Sequence, residues 1–283
     1  MTRNQTIRLA AAATSSALLA VSAGCWHGGS DDTPFHWTES VPPGATLHLR
    51  DGAGDITVRR GTSPQVVVTG ERHWHRSRAA DIRFVVNHTG NDYYVCAMWR
   101  SSGACGPSGY HGRRIGGFLT IFSLFHRSSD ASAELTAEVP ASVVVDARTT
   151  NGSVSVDGVS SGVVATTTNG TVDATNVSGS VALMTTNGNV NLSADSLADR
   201  DSVHLTTTNG SIHAELPATV QGAFDLSVVN GMVHSDFPVP TSSRGRPNRH
   251  LQGQIGSSTR VVKMRAINGM ISVVSRGAAT MTH

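Results

Sequence analysis

The sequence predicts an all-β protein: a single-stranded parallel β-helix, or β-solenoid, with an irregular N-terminal β portion. Three observations carry this reading. Asn-Gly pairs recur at Asn151-Gly152, Asn169-Gly170, Asn187-Gly188, Asn209-Gly210, Asn230-Gly231 and Asn268-Gly269, at intervals of 18, 18, 22, 21 and 38 residues. Short alternating segments flank them: SVSV, TVDA, NVNL, SIHA, MVHS and MISV follow, while VVATTT and VALMTT precede. A period of two marks strands with one buried face. The composition, 39% apolar but 5% aromatic with 29 glycines in 283 residues, suits narrow layers filled by Val, Ala and Thr.

Residues 1–24 stand apart from the fold. Arg3 and Arg8 precede an apolar stretch at 9–23 that is too short to cross a bilayer, the pattern of a signal peptide. It ends in VSAGC at 21–25, which resembles a bacterial lipobox, making Cys25 the expected lipidation site. Ser22 stands where lipoboxes carry Leu, and cleavage after Ala23 is the alternative. The tether at 25–43 suits an anchor, and Trp26 rather than Asp after the cysteine leans toward the outer membrane in a Gram-negative host. The expectation is an exported envelope protein, an outer-membrane lipoprotein facing the periplasm or the surface. Without the leader, basic and acidic residues balance, but unevenly: 71–127 and 237–283 are basic and 128–236 is acidic. No nucleic-acid-binding motif accompanies the basic segments, so no nucleic acid is expected as a partner.

Residues 44–127 read as N-terminal strands with an insertion. Cys96 and Cys105 would pair in an oxidising compartment and close a small loop; free thiols are the alternative if the chain is not exported. His73 and His75 would share one face of a strand, yet two imidazoles are half a metal site; no metal and no cofactor are expected. The run GGFLTIFSLF at 116–125 would either cover the first coil's core or, with Arg113, Arg114 and Arg127, form a partner-binding or membrane-surface edge.

The repeats occupy 128–276. Asn-Gly also suits a type I′ hairpin turn, but a period near 20 residues favours stacked coils. Glycine then supplies the corner conformation. Asn and Thr of successive coils lie above one another, where their side chains can bond in ladders. A second break, GVSSG at 158–162 and NVSG at 176–179, gives two strands and two corners per coil. DSLADRD at 195–201 makes a bulging corner, 238–250 a polar loop leaving the stack, and 277–283 a tail.

The segments GAGDITVRR at 52–60, AELTAEVPASVVVDARTTNGSVSVDGVSSG at 133–162 and STRVVKMRAINGMISVV at 258–274 together resemble the bacterial putative-adhesin domain family of β-solenoids. The resemblance covers the chain from about residue 44 and implies a right-handed solenoid. It speaks for fold far more than for function, and the segment 96–127 departs from it.

Neither a Gly-x-Ser-x-Gly elbow nor a calcium-binding Gly-Gly-x-Gly-x-Asp repeat occurs. Asp157, Asp173, Asp195, Asp199, Asp201 and Asp225 are the material available to an enzyme, and their alternation with apolar residues marks them as outward groups. The expected function is non-enzymatic: a cell-envelope adhesin-like binding or scaffold protein whose Thr/Asn/Asp-rich surface contacts an envelope glycan or protein partner, with the membrane reached through the lipid anchor. The alternatives are a polysaccharide-acting β-helix enzyme and an envelope regulatory lipoprotein that docks a partner through 96–127.

Overall fold

The computed structural model describes residues 34–74, 82–99, 103–107, 111–112, 131–239 and 249–277, which belong to one compact unit, Asp32–His283. The signal peptide, Cys25, residues 25–33 of the tether, His75, the apolar run 116–125, residues 240–248 of the predicted loop and 278–283 of the tail lie outside the described residues. Among those described there is no helix.

The strands follow in chain order. The first six are β1 (Phe35–Glu39), β2 (Thr46–Arg50), β3 (Ile56–Arg60), β4 (Val66–His73), β5 (Ile82–Thr89) and β6 (Asp92–Trp99), followed by two short ones, β7 (Gly103–Ala104) and β8 (His111–Gly112). Next come β9 (Ser132–Val139), β10 (Val144–Arg148), β11 (Val154–Asp157), β12 (Val163–Thr166), β13 (Val172–Ser178) and β14 (Val181–Asn187). The remainder are β15 (Val190–Ser196), β16 (Ser202–Asn209), β17 (Ile212–Pro217), β18 (Gly222–Ser235), β19 (His250–Ile255) and β20 (Val261–Arg276).

Each coil contributes one strand before its corner and one after it. The strands before the corner pair in parallel in the order β6, β2, β10, β12, β14, β16, β20, β18. Those after it pair as β9, β3, β11, β13, β15, β17, then the second halves of β20 and β18. Antiparallel strands close the ends: β5 on β6, β4 on β9, β1 on β4, and β19 on the first half of β18. Such closure protects parallel edges that would otherwise invite pairing.

The stack does not follow the chain at either end, contrary to the simple succession of coils expected from the repeat. The coil of β6 and β9 comes later in sequence than that of β2 and β3 but lies outside it. At the far end β20 enters between β16/β17 and β18. The cause is the return through β19, which runs antiparallel on the outer side of β18 and brings the chain back to form β20 on its inner side.

Regular coils are also not confined to 128–276, because β2 and β3 already form one. Arg50-Asp51-Gly52-Ala53-Gly54 occupies the place of Arg148-Thr149-Thr150-Asn151-Gly152, with Arg50 opposite Arg148, Ala53 opposite Asn151 and Ile56 opposite Val154. The corner lacks Asn, so the Asn-Gly period did not reveal it. It keeps the essential glycine: Gly54 has φ +142°, and a Cβ there would stand 1.7 Å from the Ala133 carbonyl oxygen.

The core lies between the two parallel sheets. Leu47, Val145, Val163, Val181 and Val203 on one sheet, with Ile56, Val154, Val172, Val190 and Ile212 on the other, belong to a single buried cluster. Val172 and Ala174 are buried while Asp173 between them is not. Each fully buried Val, Leu or Ile contributes roughly 1.5–3 kcal/mol, so short strands suffice where every inward position is apolar.

Candidate binding face

The Thr-Thr-Asn-Gly corner divides its work between residues. The first threonine is buried, and its hydroxyl donates to a glycine carbonyl in the preceding coil: Thr149 to Gly54 at 3.0 Å, Thr167 to Gly152 at 2.7 Å, Thr185 to Gly170 and Thr207 to Gly188 at 2.9 Å. These threonines therefore bond the backbone, not one another as the ladder expectation had it. A hydroxyl buried at this depth needs an acceptor, and the glycine carbonyl supplies it. The second threonine points outward: Thr150, Thr168 and Thr186 are exposed.

The asparagines form the ladder itself. Each side-chain amide donates to the next side-chain oxygen, from Asn169 to Asn151 at 2.7 Å and at 2.8 Å from Asn187 to Asn169, Asn209 to Asn187, Asn268 to Asn209 and Asn230 to Asn268. The rungs follow the stack, with Asn268 between Asn209 and Asn230. An asparagine amide has two N–H donors and a carbonyl with two lone pairs. An interior rung spends one of each along the ladder, leaving one donor and one acceptor site for solvent or a partner.

At the end formed by β20 and β18 the corner changes character. Ala266 and Val228 replace the buried threonine, and Ile267 and Val229 replace the exposed one. After the glycine, Met270 and Met232 stand where earlier coils carry Ser153, Thr171, Asn189 and Ser211. Val229, Met232, Ile267 and Met270 are 57%, 56%, 44% and 43% exposed. The methionines after Asn-Gly were visible in the sequence, but only the register shows that they adjoin.

A separate polar cluster covers the outward face of β6, β2 and β10. His48 Nδ1 lies 3.0 Å from Asp146 Oδ2 and His48 Nε2 lies 2.9 Å from Asp92 Oδ1. Arg50 Nη2 donates to Asp146 Oδ2 at 2.7 Å, and Arg148 Nε donates to Asp146 Oδ1 at 2.8 Å. The His48 ring stacks on Tyr94 at 4.4 Å between centroids. Burial raises the Asp146 carboxyl, but hydrogen bonds from His48, Arg50 and Arg148 outweigh it and hold it well below the usual range. With every strong group partnered, the cluster ties three coils together. Sequence reasoning missed it because its members are far apart along the chain. Beside it, Cys96 and Cys105 are joined in a disulfide that sits with Tyr94 and Met98 in a small buried cluster, and Asn87 Nδ2 donates to the Cys105 carbonyl at 3.0 Å.

The carboxylates considered for catalysis do not converge. Asp157 accepts from Thr175 and Asn176, Asp173 from Asn191, and Asp195 pairs with Arg276. Asp225 faces His250 and Arg265; Asp199 lies 3.9 Å from Arg260, and Asp201 accepts from the Ala198 amide within the bulging corner. His73 Nε2 lies 3.5 Å from Glu134 and 3.9 Å from Glu71. Glu71 and Glu134 are directly opposed across β4 and β9, an arrangement of like charges that favours a cation between them. His73 projects beside this pair, and all three side chains are exposed.

The family described as Toastrack DUF4097 matches residues 126–274. No curated protein matches the chain. Among solved structures, the chain is similar to one described as a putative cell adhesion protein from Clostridium sporogenes, at 12% identity and a TM-score of 0.45, over 86% of this chain and 100% of that one. It is also similar to a putative adhesin from Bacteroides fragilis, at 11% identity and a TM-score of 0.35, over 87% and 98% of the two chains.

Proposed function

Because the chain belongs to the Toastrack DUF4097 family, a β-solenoid fold, we propose that it is an exported, non-enzymatic binding or scaffold protein of the cell envelope that engages its partner through the Asn-Gly corner face. The observation that carries this reading is the continuous asparagine ladder, whose interior rungs each keep one donor and one acceptor free at the sheet spacing of about 4.8 Å. Repeated weak hydrogen bonds of this kind suit a polyhydroxylated polymer, so an envelope glycan is the partner class. The exposed apolar residues at one end of the face would add hydrophobic contact, as such surface groups commonly do at interaction sites. Lipidation of Cys25 would hold the protein at the outer membrane. The test is retention of the mature protein on purified peptidoglycan and on envelope polysaccharides. The proposal expects saturable retention, and background retention by folded protein contradicts it.

A further inference from the structure

The six Asn-Gly pairs share one chemistry but not one environment. In such a pair the glycine nitrogen can attack the asparagine side-chain carbonyl, because no glycine side chain blocks the approach. Attack requires the glycine N–H to give up its hydrogen bond and the asparagine side chain to swing off its ladder.

Gly152, Gly170, Gly188 and Gly210 each donate their N–H to the asparagine carbonyl of the next coil in the stack, at 2.9–3.0 Å. Gly269 lies within the parallel pairing of β20 with β18, opposite Gly231. Gly231 belongs to the last coil. Its outer neighbour β19 covers only Gly222–Ser227, and among the described residues no strand lies beyond it. The exposures agree: Gly231 is exposed, whereas the other five glycines are half-buried. The Asn230 side chain keeps one ladder bond, donated to Asn268, while the interior asparagines hold two.

We propose that Asn230 is a site of spontaneous deamidation that the folded stack exposes selectively, independently of the binding reading. In the step, the Gly231 nitrogen bonds to Asn230 Cγ, the Cγ–Nδ2 bond breaks, and ammonia leaves with the amide proton. Water then opens the resulting succinimide at either carbonyl, giving aspartate or isoaspartate at position 230. The product places a carboxylate between Val229 and Met232, in the apolar end of the corner face, and the isoaspartate form adds a methylene to the backbone of the last rung.

The experiment incubates the folded mature protein at mildly alkaline pH in 18O-labelled water and follows all six Asn-Gly peptides by mass spectrometry, beside a sample held in denaturant. In the folded protein, position 230 should convert at least about tenfold faster than each of the other five, tenfold being the factor for the one hydrogen bond worth about 1.4 kcal/mol that separates it from position 151. In denaturant the six should convert at similar rates. A folded-state rate at 230 no greater than that at 151, 169, 187, 209 or 268 overturns the proposal, as does the same preference for 230 in the denatured chain.

Discussion

At position 51 an aspartate stands where the next four coils carry a buried threonine. It is 5% exposed, and its Oδ1 accepts from the Gly52 and Ala53 amides at 2.6 and 3.2 Å. Burial dominates over these bonds and pushes the carboxyl up to about 7 from an ordinary 3.8. The sign follows from which state binds the proton. Above pH 7 the group is ionised in both states and the folded chain bears the burial cost. As pH falls from 7 toward 4, the folded chain takes up the proton first and gains stability. At the upper end the cost is up to roughly 4 kcal/mol. Asp51→Asn should therefore flatten the rise in stability between pH 7 and pH 4 in urea titrations; an unchanged slope would show that Asp51 is not the source. Asp146 has the opposite sign: its stabilisation is present above the ordinary carboxylate range and is lost as pH falls below it. Neither group was legible in the sequence, since its burial depends on strands brought in from elsewhere in the chain.

The corner is the element on which the stack depends. Asn187 holds two ladder bonds and Asn230 one. With each net hydrogen bond near 1 kcal/mol, Asn187→Ala should cost about 1–2 kcal/mol and Asn230→Ala about half that in chemical denaturation. Equal losses would mean that the ladder adds nothing to stability. Gly188→Ala should be more severe, because its Cβ would stand 2.0 Å from the Gly170 carbonyl oxygen in a backbone with φ +153°; failure to fold, or a loss of several kcal/mol, is expected. The corner could be read from the sequence because Asn, Gly and alternating valines repeat within a short window. The role of its threonine could not, because the acceptor is a backbone carbonyl and leaves no sequence trace.

At the scale of the molecule, spacing alone misleads. The 21-residue step from Asn209 to Asn230 looks like one coil and the 38-residue step to Asn268 like a coil with a loop, yet Asn268 is the rung that touches both. Adjacent rungs bring Cα atoms about 4.8 Å apart, within disulfide reach, while next-nearest rungs exceed it. Cysteines at Thr208 and Ile267, or at Ile267 and Val229, should cross-link on oxidation, and a Thr208/Val229 pair should not; the reverse pattern would restore the chain order of coils. The first coil and the reordered ends escaped the sequence for one reason: the repeat states what a coil is, but not which coil it lies against.

The central claim, that the corner face engages an envelope partner, is tested most directly by comparing two doubly substituted proteins of matched thermal stability. Thr168→Lys with Thr186→Lys alters the exposed corner positions, whereas Ser155→Lys with His213→Lys alters exposed positions on the sheet that follows the corner. Retention on envelope glycan should fall sharply for the corner variant and stay at the wild-type level for the other. Equal retention by both would contradict the account.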